Sequence, residues 1–268
     1  MSASILSLRT GVKGRIDMTG VLPEALAGKS GAAVGRMMVA LDGHPVELGE
    51  LFAVKPGQAD TMVVQGEGGC LDNLGTGMSA GTLIAEGAAG RYAGRDMRGG
   101  EIVIEGDAGD CAASGMAGGM LSIRGSAGDW LGAALVGERA GMAGGVVAVA
   151  GDVGARAGNR MRRGLILVGG NAGDACGANL LAGTMVVAGQ CGIKAGIGMR
   201  RGTLILCGHS AGLSSGFNDS GICSLNYLDL LRRYADKALP GVAPRSSRVR
   251  RFMGDMAMGG HGEILLPA

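Results

Sequence analysis

Between residues 68 and 215, short apolar runs alternate with glycine-marked polar turns at a fixed interval of 19 residues. With Gly68 as position 0, Gly87, Gly106 and Gly125 follow at that spacing. After seven extra residues, Gly151, Gly170, Gly189 and Gly208 continue it. Position +13 is glycine in every complete unit, from Gly81 to Gly202, and position +10 is methionine except at Leu180. The apolar runs at 83–85, 102–104, 121–123, 147–149, 166–168, 185–187 and 204–206 close the units. Runs this short, aliphatic and bounded by glycine predict strands and not helices. One strand per unit with glycine at the corners describes a coil of a parallel β-helix, stacked about 4.8 Å from the next.

Side-chain alternation along a strand assigns faces. Positions +15 and +17 are aliphatic throughout and point inward, and the +10 methionines form a second internal ladder that fills irregular space. Position +16 then points outward, yet it carries Ile84, Val103, Ser122, Ala148, Leu167, Val186 and Ile205. An apolar outward stripe implies a cover. Two readings stand: a terminal segment of the chain packs there, or Ile84, Val103, Leu167, Val186 and Ile205 form an interface with another protein chain.

The flanks lack the repeat. Residues 1–67 predict a small N-terminal cap, with strands at 5–8 and 37–41 and a short helix within 21–28. Residues 216–268 predict a helix over 225–239, a basic linker at 245–251 and a terminal strand, together a C-terminal helical arm. The expected organisation is therefore cap 1–67, repeat 68–215 and arm 216–268. The insertion spans 133–140 and follows Trp130, the single tryptophan. That side chain is either an interface anchor or ordinary packing for the loop.

Composition narrows the class. The 55 glycines in 268 residues follow no collagen triplet, and with only 18% charged residues the chain is not a disordered polyelectrolyte. A net charge of +2 does not suggest a nucleic-acid binder. No apolar run approaches a membrane span and no secretory leader is evident, so a cytoplasmic protein is expected. The six cysteines form no C-x-x-C pair and the three histidines are scattered, so neither predicts a metal. The phosphate-loop look-alikes at 75–81 and 196–202 fall on the repeat's own glycine columns and precede no helix. No catalytic residue is identified. One charged column follows the repeat: Arg98, Arg162 and Arg200 at +11, with Arg163 and Arg201 at +12. These are either solvated turn residues or a cationic strip for a polyanion or an acidic partner face. Asp110, Asp129 and Asp174 share +4, the column that a glycan-cleaving β-helix would use, although the chain is poor in aromatic platforms.

The glycine repeat resembles the C-terminal domain of glutamate synthase and the C subunit of formylmethanofuran dehydrogenase. The segments VELGELFAVKPG at 46–57 and RFMGDMAMGGHGEILL at 251–266 favour the second, and the Ala/Arg/Gly-rich composition its bacterial form in the formyltransferase/hydrolase complex of methylotrophs. The resemblance implies a right-handed β-helix serving as a non-catalytic subunit beside amidohydrolase-like and formyltransferase-like partners. It implies a complex that moves formyl groups between tetrahydromethanopterin and a methanofuran-type coenzyme and releases formate. Zinc would sit in a partner subunit and no cofactor in this chain. The coenzyme's polyglutamate tail makes the arginine strip a candidate contact. An archaeal-type dehydrogenase subunit and a glutamate-synthase-like linker are the alternatives.

Overall fold

The computed structural model describes residues 2–58, 60–66, 68–208 and 212–268; His209 lies outside them. The N-terminal part contributes β1 (Ser4–Leu8), β2 (Ile16–Asp17), β3 (Met38–Leu41), β4 (His44–Glu47), β5 (Phe52–Lys55) and β6 (Thr61–Gln65). Three one-turn helices lie among them: α1 (Pro23–Leu26), α2 (Gly31–Gly35) and α3 (Leu48–Leu51). Next come β7 (Leu71–Asp72), β8 (Thr82–Ala85), β9 (Glu101–Ile104), β10 (Met120–Ile123) and β11 (Ala143–Val149). They are followed by β12 (Arg163–Val168), β13 (Thr184–Val187) and β14 (Thr203–Leu206). The chain ends with β15 (Asn218–Ser224), α4 (Tyr227–Ala238), β16 (Arg248–Gly254) and β17 (Gly262–Pro267).

The molecule is mainly β. Strands β8 to β14 pair in parallel with their sequence neighbours, and the register keeps the unit position: Leu83 faces Ile102, Ile102 faces Leu121, Ile166 faces Met185, and Met185 faces Leu204. The insertion before β11 leaves this untouched, since Leu121 still faces Val147. A second parallel ladder of single bridges joins position +2 of successive units, Ala89 to Ala108 to Ala127 to Val153 to Ala172 to Cys191. Between these two ladders, further backbone bonds such as Cys111 N to Asp129 O and Arg98 N to Met78 O also join each unit to its neighbour.

The core follows from these registers. Positions +15 and +17 are buried in every unit, as are the +10 methionines and Leu180. Two further inward columns complete the core: the +2 ladder, where alanine recurs, and position +6 with Leu74, Ala93, Ala112, Leu131, Ala157, Cys176 and Ala195. Small residues suffice there because the glycine-rich turns bring the walls close together.

The sheet runs past the glycine repeat at both ends, to 13 strands. On one side β8 pairs in parallel with β6 and β6 with β1, after which β5 closes the edge antiparallel. On the other side β14 pairs in parallel with β17, placing Leu204 opposite Ile264 and Ile205 opposite Leu265. The tail segment Gly262-Glu-Ile-Leu-Leu copies the pattern Gly202-Thr-Leu-Ile-Leu. Ile264 therefore joins the main core, while Leu265 joins the outward side.

One expectation for the C-terminus is corrected. The second half of the basic linker, from Arg248, is strand β16, hydrogen-bonded between β15 and β17. The helix is present and packs on the chain's own sheet. Its residues Leu228 and Ala235 pack with Leu167, Val186 and Ile205 in a second apolar cluster, completed by Val242, Ala243, Val249 and Leu265. Glu263 pins the start of the helix: it accepts from Tyr227 Oη at 3.2 Å and Thr203 Oγ1 at 2.7 Å and pairs with Arg251 at 2.9 Å. Burial, with the Glu263 carboxylate nearby, pushes the Tyr227 phenol up to about 12. The long-range contacts of the tail, not local pattern, decide where α4 sits.

Candidate functional site

The outward stripe divides in two. Leu167, Val186 and Ile205 are fully buried under α4 and the segment after it, so the chain itself covers them and they are not free for a partner. That corrects their expected role as interface residues. Helix α4 reaches only the distal units, and Ile84 and Val103 remain half-exposed.

Asp110, Asp129 and Asp174 are occupied with structure. Asp110 accepts the amide of Asp129 at 3.0 Å, Asp129 that of Ala155 at 2.8 Å, and Asp174 that of Ile193 at 3.0 Å. A parallel ladder at +1 does the same, with Asp107 on Ser126, Ser126 on Asp152, Asp152 on Asn171 and Asn171 on Gln190. Each side chain satisfies an amide on the next unit that the turn leaves without a carbonyl. Asp129→Ala is accordingly expected to cost about 0.5–1.5 kcal/mol in urea unfolding. An unchanged urea midpoint would mean that the aspartate does not serve the ladder.

Next to the aspartates, position +5 is a corner held in the left-handed region without glycine: Tyr92, Cys111, Trp130 and Arg156 have φ between 60° and 64°. This backbone projects successive side chains from one edge. Arg156 stacks over the Trp130 ring at 4.9 Å and Arg95 lies 5.9 Å from the Tyr92 ring. Trp130 is half-buried. Burial, with Asp110 adjacent, raises the Cys111 thiol above its ordinary range.

The insertion stands beside this edge. Its Glu138 pairs with Arg95 at 3.5 Å, accepts the Leu135 amide at 3.1 Å, and offers its carbonyl to Arg160 at 3.3 Å. So tied, the loop holds Val136 wholly exposed at its tip. A cavity of about 440 Å³ opens between Tyr92, Cys111 and Trp130 on one side and Ala134, Leu135 and Val136 on the other.

The predicted arginines Arg98, Arg162, Arg163, Arg200 and Arg201 are all exposed. Arg162 and Arg163 lie at the start of β12 and Arg200 and Arg201 just before β14, with Arg98 three units away from Arg162. Arg200 meets two other cations in a groove, where Arg139 and Arg160 join it around Asn179, Leu181 and Met258 in about 270 Å³. Column position does not single out Arg139 and Arg160, because one lies in the insertion and the other at +9. A count of arginines by turn, not by column, would find them.

Among the described residues, no cluster of three His, Cys, Asp or Glu side chains could hold a metal, and no helix is long and apolar enough to cross a membrane. No family model matches the sequence. An 88-residue stretch is 36% identical to the C subunit of the formyltransferase/hydrolase complex Fhc of Methylorubrum extorquens, and this alignment covers 33% of each chain. The structure superposes on a chain of the crystallised formyltransferase/hydrolase complex (FhcABCD) of Methylorubrum extorquens, solved with methylofuran. The TM-score is 0.91 at 35% sequence identity, covering 98% of this chain and 99% of the other.

Proposed function

We propose that this chain, which belongs to the family of the C subunit of the formyltransferase/hydrolase complex, is a structural component of such a complex and carries no catalytic step itself. The near-complete superposition on a chain of the crystallised complex carries this reading, because it matches the flanks as well as the repeat. The parallel register at unit intervals supports a parallel β-helix, which the family resemblance makes right-handed, with the cap at 1–67, coils over 68–215 and a C-terminal segment at 216–268. The assembled complex would contain amidohydrolase-like and formyltransferase-like subunits, with zinc in the former, and would work in the cytoplasm. It would transfer formyl groups between tetrahydromethanopterin and a methanofuran-type coenzyme, methylofuran in the relative's structure, and release formate.

Within that assembly, the chain's role is to hold neighbours in fixed relation. Repeating nearest-neighbour contacts make a rigid platform whose outward columns can be varied without disturbing the core. Ile84, Val103 and Trp130 are the apolar contacts proposed for a partner. Arg98, Arg162, Arg163, Arg200 and Arg201 are the cationic positions proposed for an acidic partner face or the coenzyme's acidic tail.

The test is a tagged pull-down from the native host followed by native mass spectrometry. The expected result is co-purification with amidohydrolase-like and formyltransferase-like chains in one stoichiometric particle. Recovery of a lone monomer would overturn the proposal.

A further inference from the structure

Three cavities on the insertion side of the molecule form one continuous trough. The pocket beneath Tyr92 and Cys111 shares Trp130, Leu135 and Val136 with the next one, which in turn shares Arg160 and Asn179 with the groove at Arg139 and Arg200. From the Tyr92 unit to the Arg200 unit there are five steps, about 24 Å at a strand spacing of roughly 4.8 Å. The character of the trough changes along its length. It is aromatic and aliphatic at the Tyr92 end and cationic at the Arg200 end.

The cationic end is not neutralised internally. Among the described residues, Arg139, Arg156, Arg160 and Arg200 make no ion pair with a carboxylate. The acids of that stretch are engaged elsewhere: Glu138 with Arg95, and Asp129, Asp152 and Asp174 with backbone amides. At the other end, a valine is held in full contact with water by a loop braced through Glu138. Bracing an apolar tip in solvent costs stability and gains nothing within the isolated chain. It does preorganise the wall of a binding groove.

Resting on the reading of this chain as part of a multi-subunit complex, we infer that the trough receives an extended segment of another subunit. This segment inserts an apolar side chain between Tyr92, Trp130 and Val136 and lays acidic residues against Arg139, Arg160 and Arg200. An extended chain advances about 3.3 Å per residue, so roughly seven residues span the trough. The acidic residues then stand about four to seven positions from the apolar anchor. The occupant is peptide and not a small ligand, because the two ends are too far apart for one ring system and are joined by an open channel. Carboxylates suit the guanidinium forks and give the partner its direction along the trough.

The experiment uses the complex purified from its host. A photoreactive benzoylphenylalanine replaces Val136 in one preparation and Leu181, on the cationic groove, in another. Cross-linked peptides are then identified by mass spectrometry. The expected result is that both positions capture one segment of one partner subunit, apolar at the Val136 cross-link and rich in Asp and Glu at the Leu181 cross-link. The double variant Arg160→Glu with Arg200→Glu should lower the Leu181 cross-link at least tenfold while the other subunits still co-purify. Capture of a neutral or basic segment, of the coenzyme or of a second copy of this chain would overturn the trough assignment, as would no capture within an intact complex. The reading of the chain as part of the complex would survive those results. A variant chain that purifies alone, as the unmodified chain also does, would overturn both.

Discussion

Gly119→Val is expected to lower the stability of this chain by about 2–5 kcal/mol. Gly119 sits at position +13 with φ of +83°, a region where a β-branched residue pays for its Cβ against its own backbone. A Cβ there would also lie 2.7 Å from the Gly100 carbonyl oxygen and 2.7 Å from the Met97 terminal methyl group, on the preceding unit. The methyl can rotate away, but the carbonyl cannot, because Gly100 accepts the Met120 amide that continues the sheet. A backbone strain of about 1–2 kcal/mol and an overpacking cost of about 1–3 kcal/mol therefore add, against a total stability on the order of 5–15 kcal/mol. Gly137→Ala supplies the comparison. Its φ is +89°, yet a Cβ would meet nothing within 4 Å, so only the strain of about 1–2 kcal/mol is expected. Urea unfolding of both variants reads the difference directly. Equal costs would mean that the stacked units tolerate side chains between them, and the close-approach argument would fail.

The second large effect separates two residues of the same column. Ile205→Ala in the isolated chain is expected to cost about 2–5 kcal/mol, since the side chain is fully buried beneath α4 and its removal leaves a cavity. Val103→Ala, at the same +16 position on β9, five strands nearer the N-terminal end than β14, should cost about 1 kcal/mol or less, because that side chain is half in water. The measurement is again the urea midpoint, made without partner subunits. Ile205→Ala should also expose Cys207, whose thiol contacts the Val242 carbonyl at 3.7 Å and is pushed by burial up to about 11. Faster thiol labelling at pH 8 would report loosening of the cover. Equal and small costs at both positions would mean that α4 does not protect the stripe in solution.

Much of the candidate surface is invisible in the sequence for identifiable reasons. The +10, +15 and +17 columns are readable because each inward side chain repeats with the unit and is uniformly large and apolar. The +2 and +6 columns are harder to assign, because alanine also stands at exposed positions of the same units, such as Ala80, Ala117 and Ala150. The +5 corner hides for a related reason. Asparagine, tyrosine, cysteine, tryptophan, arginine, alanine and lysine occupy it in turn, so no residue type marks the shared left-handed backbone. Its conformation is imposed by hydrogen bonds such as Cys111 N to Asp129 O and Trp130 N to Ala155 O, which belong to neighbouring units. The aspartates at +4 stand out as a column, but only the amides facing them reveal that they are ladder residues.

The amino-acid sequence by itself determined that the chain folds into parallel strands at 19-residue intervals, which glycines occupy the corners, and which aliphatic columns fill the core. These properties repeat along the chain, and a translational repeat is written in one dimension. Only the tertiary structure decided that α4 covers Leu167, Val186 and Ile205, that the tail returns to pair Ile264 with Leu204, and that Arg139, Arg160 and Arg200 face one groove. Those contacts join residues brought together once, by the path of the chain after the repeat ends. Their free energy depends on the shape of a surface that exists only when the units have stacked.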